Sequence, residues 1–342
     1  MTLEEFLAEW CSPSPTVLVH TSGSTGTPKP MYVEKQRMLN SARITCDFLG
    51  LKPGDTALLC MPLDFIAGKM VVVRAIERHL KLLYTHPTGH PFSDNTTYTL
   101  YDFSKEEPHV VAISPKEASS FAALVPLQVY NSLSIPTERT RLEHIDQLII
   151  GGGAIDGDLQ RQLRDFPHSV WSTYGMTETL SHIALRRLNG PTASEYYQPF
   201  DSVKVSLNDD GCLVIDAPLV HDGPLVTNDR AEIIPGRGFR ILGRKDNVID
   251  SGGIKIQIEE VEKVLRPLLS APYAITKAPD KKFGEQVVLL SEDPDTAALA
   301  AICRAHLPKY WQPKRIVHVE QIPMTKTGKI ARADCESLVK QS

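Results

Sequence analysis

Near the start of the chain, His20-Thr21-Ser22-Gly23-Ser24-Thr25-Gly26-Thr27-Pro28-Lys29 combines two glycines, five hydroxyl side chains and a closing lysine. Gly23 and Gly26 let backbone N–H groups approach oxygens that a Cβ would hold off. The hydroxyls of Thr21, Ser22, Ser24 and Thr25 add rotatable donors, and Lys29 adds a positive charge. That chemistry suits a polyphosphate. The stretch is not a Walker A loop, because Pro28 stands where that pattern has glycine before the lysine. Alone, such a stretch is more often a flexible turn, so the rest of the chain decides its meaning.

Three further groups could share a phosphate-bearing ligand. Gly151, Gly152, Gly153 and Ala154 follow an apolar run and would let a flat ring lie against the backbone. Tyr174, Gly175, Met176, Thr177 and Glu178 offer an aromatic face, a hydroxyl and a carboxylate. A carboxylate beside bound phosphate calls for a cation between them, and Mg²⁺ is the usual one. Near the far end, Lys329 follows a glycine in a polar loop able to project into another domain's cleft. Each group also has a plainer reading: tight turn, packed tyrosine, solvated lysine. Their order and their shared place at strand ends, where open α/β sheets bind ligands, argue for the functional one.

The elements that must position these residues alternate. Strands are expected over 17–19, 57–61, 80–84, 109–113, 148–150 and 170–174, with helices over 2–10, 35–49, 68–79 and 156–166 and a further helix opening at Ser114-Pro115. The pattern predicts an α/β fold: a large N-terminal domain with a mostly parallel sheet covered by helices on both faces. From Val203 short strands and Gly-bearing turns take over. After Gly243-Arg244-Lys245-Asp246 a small C-terminal α+β domain is expected, dividing the chain into 1–245 and 246–342. Its helix over 257–269 carries apolar Ile258, Val261, Val264, Leu265 and Leu268 on one face.

A net charge of −4 and a pI near 6.3 predict no general attraction to nucleic acid or acidic membranes. Six scattered cysteines without a C-x-x-C pair suit a reducing cytoplasm better than a zinc site or a disulfide framework. Residues 1–9 hold three glutamates and no basic residue, unlike a secretory signal, and no apolar run reaches membrane-spanning length. The sequence leaves a homo-oligomer open.

Together these motifs resemble the superfamily of adenylate-forming enzymes: acyl/aryl-CoA synthetases, adenylation domains and luciferases. The loop over 21–29 is similar to its phosphate signature, the segments at Gly151 and Tyr174 to its adenine-binding and Y-G-x-T-E motifs. Residues 243–246, Ser251-Gly252-Gly253 and Glu259 resemble its hinge motif, and residues 323–332 its P-x-x-x-x-G-K-I-x-R motif. The resemblance implies that a carboxylic acid attacks the α-phosphate of ATP, after which a thiol, commonly coenzyme A, displaces AMP. It also implies roles for individual residues. Gly151, Gly152, Gly153, Ala154, Tyr174 and Gly175 would hold adenine, Asp229 and Arg244 the ribose, Thr177 the α-phosphate, and Glu178 the Mg²⁺. Lys329 would bridge carboxylate and phosphate oxygens during adenylation. Asp246 would be the hinge of a turn that removes Lys329 and brings Gly252 and Gly253 to the pantetheine channel.

Three departures stand out. The segment before the phosphate loop is far shorter than in typical relatives, Asn228 replaces the glycine usual before Asp229, and Phe65 replaces a frequent histidine. Among compact members, residues 65–74 resemble the o-succinylbenzoate–CoA ligases of menaquinone biosynthesis. A substrate with two carboxylates needs one held while the other reacts. Lys69, Arg74, His86 and His90 are expected to wall its pocket; alternatively Arg74 and Arg78 form a solvated helix face. Another aryl or acyl acid, delivery to a carrier protein, and a non-catalytic nucleotide-binding module are the other readings.

Overall fold

The computed structural model describes residues 1–20, 30–103, 111–113, 119–153, 155–325 and 329–341. Its frame is a nine-stranded sheet in the order Gln198–Pro199, His182–Arg187, Ser169–Gly175, Gln147–Ile150, Phe121–Leu124, Thr56–Leu59, Lys81–Tyr84, Tyr98–Asp102, Val111–Ile113. The five central strands are parallel, and the two at each edge run antiparallel. Adjacent residues of the central strands serve opposite faces. Ala57, Leu59, Leu82, Phe121, Ala123 and Ile149 enter one core, while Leu58, Leu83, Ala122, Leu124, Leu148 and Ile150 enter the other. Burial on both faces explains why Phe121-Ala122-Ala123-Leu124 gave no strand signal: there is no polar alternation to read. The helix expected from Ser114-Pro115 opens outside the described residues, and 121–124 is strand.

Helices α1 (Leu3–Cys11), α2 (Lys35–Leu49) and α3 (Ile66–Arg78) build the first core. Thr2 and Glu5 close α1 with a reciprocal capping box. In α2, Met38, Ala42, Thr45 and Leu49 recur at helical spacing and are all buried. Helices α4 (Pro126–Ser134), α5 (Pro136–Glu143) and α6 (Gly157–Leu163) serve the second core. A four-stranded antiparallel meander, Lys204–Leu207, Cys212–Asp216, Leu225–Ile234 and Gly238–Arg244, adds Leu213, Ile215, Ala231 and Phe239 to the first.

The smaller C-terminal unit has its own five-stranded sheet and two cores. Helices α7 (Ile258–Leu265) and α8 (Thr296–His306) contribute to one core and α9 (Arg332–Gln341) to the other. No core cluster mixes residues before 240 with residues after 248. The fold class expected from the sequence is the one present: a large α/β unit followed by a small α+β unit.

Candidate active site

In the parallel neighbours Gln147–Ile150 and Ser169–Gly175, Ile150 lies opposite Ser172, so the triple glycine leaves the sheet alongside the Thr173–Gly175 end of its neighbour. Here the glycines are steric requirements. A Cβ on Gly151 would lie 2.3 Å from Thr173 Oγ1, and one on Gly175 would lie 2.2 Å from the Ser181 carbonyl oxygen. Ala154 lies outside the described residues. Past Gly175 the chain makes a 3₁₀ turn, Thr177–Thr179, locked where Met176 N–H donates to Thr179 Oγ1 at 3.0 Å. Leu180 then adopts a left-handed φ of 65°, an uncommon conformation for a side chain of that size. Thr177 is buried; Glu178 is half-buried, with no ion pair among the described residues.

From the meander, the Asp229 carboxylate reaches the same place. It accepts Tyr174 OH on Oδ2 at 2.7 Å and Arg244 Nη1 on Oδ1 at 3.3 Å, Arg244 being its cross-strand partner. Burial, then the neighbouring Asp229 charge, push the Tyr174 hydroxyl far above its ordinary pKa, so it is a fixed donor. Its ring packs edge-on against Phe239 at 5.2 Å, and Phe239 stacks on Tyr197. Next to the network, Asp246 accepts from Arg244 Nη2 at 3.0 Å and from Asn228 Nδ2 at 3.1 Å.

The small domain supplies Lys329, which is half-buried. Burial, then the Arg244 charge, lower its ammonium's pKa, while Asp229 acts in the opposite sense. A tether fixes its loop: Thr325 N–H donates to Lys329 O at 2.7 Å, and Arg332 grips Glu262 through two 2.7 Å bonds. Arg332 also donates to Ile275 O, so the last residue of the terminal motif is structural. Tyr174 therefore meets Asp229 and Arg244, a cross-strand pair more than fifty residues further along the chain.

Other candidates stand elsewhere. Residues Thr21, Ser22, Gly23, Ser24, Thr25, Gly26 and Lys29 lie outside the described residues. Their flanks form a hairpin, Thr16–His20 with Pro30–Glu34, so this loop joins two strands rather than a strand and a helix. His20 pairs with Phe65, which places the histidine-replacing phenylalanine beside the loop's root. Gly252 and Gly253, with φ of 63° and 85°, form the two-residue turn of the hairpin Val248–Ser251 and Ile254–Gln257. That turn requires both glycines whatever else they do.

The expected pocket wall does not assemble from all its members. Lys69 is buried under α1, its Nζ 2.9 Å from Met1 Sδ and 4.9 Å from the Phe6 ring centre. His90 bonds Glu138 of α5, on the side of the second core, and His86 packs against Tyr84. Arg74 corrects the solvated-face alternative. It is 2% exposed, its Nη2 donates to Ser181 Oγ at 2.6 Å, and it has no carboxylate partner among the described residues. Burial pushes its pKa down to about 10. Ser181, His182 and Thr45 surround it, with Thr45 Oγ1 3.0 Å from His182 Nε2. Sequence reasoning overlooked this cluster; its signal was Ser181-His182, three residues past Glu178.

Among the described residues no group of three or more His, Cys, Asp or Glu side chains could hold a metal ion. One free carboxylate, Glu178, suits an ion bound mainly through a ligand's phosphates and water.

The family model described as AMP-binding enzyme matches residues 5–223, more than half of the chain. A solved structure, the acyl-CoA synthetase (AMP-forming)/AMP-acid ligase II-like protein from Dyadobacter fermentans, is 32% identical, with a TM-score of 0.62. That similarity covers 99% of this chain and 93% of the other. Among curated relatives, the 2-succinylbenzoate–CoA ligase of Enterococcus faecalis is 26% identical over 345 residues, covering 92% of this chain and 68% of its own. The 2-succinylbenzoate–CoA ligase of Salmonella typhimurium is 28% identical over 315 residues, covering 86% of this chain and 62% of its own. The chain thus spans roughly two thirds of the length of these curated ligases. With the motifs, the strand-end site and the matched family model in agreement, the chain belongs to the AMP-binding enzymes.

Proposed function

We propose that this chain is an AMP-forming acid–thiol ligase. It activates a carboxylic acid with Mg-ATP and transfers the acyl group to coenzyme A, with o-succinylbenzoate as the acid. The observation that carries this reading is the Tyr174–Asp229–Arg244 network at the strand ends, with Lys329 supplied by the small domain. A preorganised ammonium there would meet the charge that builds on carboxylate and α-phosphate oxygens during adenylation. Asp229 and Arg244 would hold the ribose, and the Tyr174 and Gly151 segments the adenine. Thr177 would contact the α-phosphate. Glu178 would hold Mg²⁺, which when bound neutralises phosphate charge. The segment over 21–29 would grip the departing pyrophosphate. We place the domain boundary at 245/246 with Asp246 as hinge, and Gly252 and Gly253 at the thiol channel in the second half-reaction.

The choice of acid rests on Arg74 and on the names of the curated relatives. A buried guanidinium without a carboxylate partner among the described residues, bonded to Ser181 three residues past Glu178, is a ready partner for a substrate's second carboxylate. We place the enzyme in a reducing cytoplasm: all six cysteines are free and five are buried, and no described helix is long and apolar enough to cross a membrane.

The test supplies ATP, Mg²⁺, coenzyme A and o-succinylbenzoate and looks for the CoA thioester by mass spectrometry. No thioester, with pyrophosphate exchange on a different acid, would move the assignment to that acid. Exchange without transfer to coenzyme A would point to a carrier-protein acceptor. ATP binding without exchange on any acid would leave a non-catalytic nucleotide-binding module.

A further inference from the structure

If Lys329 acts only while the small domain faces the Tyr174 network, something must hold it there. Among the described residues, two of the side-chain contacts across the 245/246 boundary involve neither Arg244 nor Lys329. At the boundary, Asn228 Nδ2 donates to Asp246 Oδ2 at 3.1 Å. A glycine there could make no such bond. Farther out, Arg266, just past α7, places Nη1 3.4 Å from Asp156 Oδ2 in the large domain.

Asp156 is well fixed to receive it. Oδ1 accepts Leu159 N–H at 2.8 Å as the N-cap of α6, and Oδ2 accepts the Tyr130 hydroxyl at 2.5 Å. Its side chain is 16% exposed, so the pair is screened less than a fully solvated one. Asp156 also lies two residues beyond Ala154, so the contact ties the small domain to the segment assigned to adenine. Joining the two units outside the hinge residue itself, the pair resists rotation about Asp246.

We infer that Arg266 is a positioning residue for adenylation: its ion pair with Asp156, together with the Asn228–Asp246 bond, latches the small domain where Lys329 meets the nucleotide site. This deepens the proposed function and rests on the small domain turning between half-reactions. The latch must be weak, because thioester formation requires its release. Partly exposed pairs of this kind suit that demand.

The test uses the full chain with Arg266→Ala, Arg266→Lys, Asn228→Gly and the Ala/Gly double variant. Acid-dependent ATP–pyrophosphate exchange should fall about threefold to tenfold in Arg266→Ala, and further in the double variant. Thioester formation from supplied acyl-adenylate should hold or rise, and Arg266→Lys should restore most of the exchange. Unchanged exchange, or an equal fall in both half-reactions, overturns the inference. Independently, spin labels at Lys204→Cys and Lys309→Cys, with Cys11→Ser, report the interdomain distance. The Arg266→Ala distribution should broaden away from the single population of the unsubstituted chain, and an unchanged distribution also overturns the latch. Absence of exchange on every acid in the unsubstituted chain would refute the proposed function instead, and the distance measurement would still decide the latch.

Discussion

At the scale of single residues, Lys329 and Arg74 are both cations held away from bulk water, with opposite consequences. Lys329 has its pKa lowered by burial and Arg244, so its loss of charge falls below the ordinary lysine range in the free protein. The alkaline limb of kcat/KM for adenylation, which reports the free enzyme, should therefore lie below pH 10.5, and Lys329→Ala should abolish that limb. The same substitution should cut pyrophosphate exchange by about a hundredfold or more while leaving ATP binding measurable by calorimetry. Arg74 pays desolvation without a carboxylate partner among the described residues. Arg74→Met should keep or raise the thermal midpoint, since apolar replacements of buried charges are often neutral or stabilising. It should raise KM for o-succinylbenzoate by about tenfold to a hundredfold, and change KM for a monocarboxylic analogue little. A parallel rise for both acids would remove Arg74 from the pocket.

At the scale of elements, the site depends on how strands end. Gly175 closes a strand where the returning chain crosses at contact distance, the Ser181 carbonyl and His182 Cα lying 2.2 and 2.5 Å from any added Cβ. Both atoms are backbone, so they cannot swing aside. Gly175→Ala should cost about 1–3 kcal/mol in urea denaturation and misplace Thr177 and Glu178, lowering exchange beyond the loss of folded protein. The opening loop is set differently. Pro30–Glu34 pairs with Thr16–His20 before α2 begins, a strand hidden in the sequence by Pro30 and by only two inward residues, Met31 and Val33.

For the whole molecule, the buried cluster between α2, α3 and the sheet couples stability to pH. Burial, then Arg74, push His182 well below 6.5, so it is neutral in the folded state and takes up a proton on unfolding in mild acid. A depressed pKa contributes stability that is present above about pH 6.5 and lost as pH falls towards the folded value. Lowering pH from 7.5 to 5.5 should therefore reduce the unfolding free energy, with a limiting slope near ~1.4 kcal/mol per pH unit from this residue. His182→Gln should flatten that part of the profile, measured by thermal unfolding at each pH. An unchanged slope would mean that other groups set it.

The sequence by itself determined the local elements and the vocabulary of the site. Periodicity placed α2 and α7, turn residues placed the meander, and residue types singled out Tyr174 and Lys329, because those signals are short-range; Asp229 and Arg244 came only from the family resemblance. The meeting of Tyr174 with Asp229 and Arg244 was decided by the tertiary structure, as was the burial of Arg74 where a helical charge pair, Arg74 and Arg78, suggested solvent. Phe121–Leu124 became a strand through pairing on both sides, which no local pattern records. The physical reason is common to all three. Desolvation, strand pairing and charge convergence depend on which distant segment packs alongside, and spacing along the chain does not contain that.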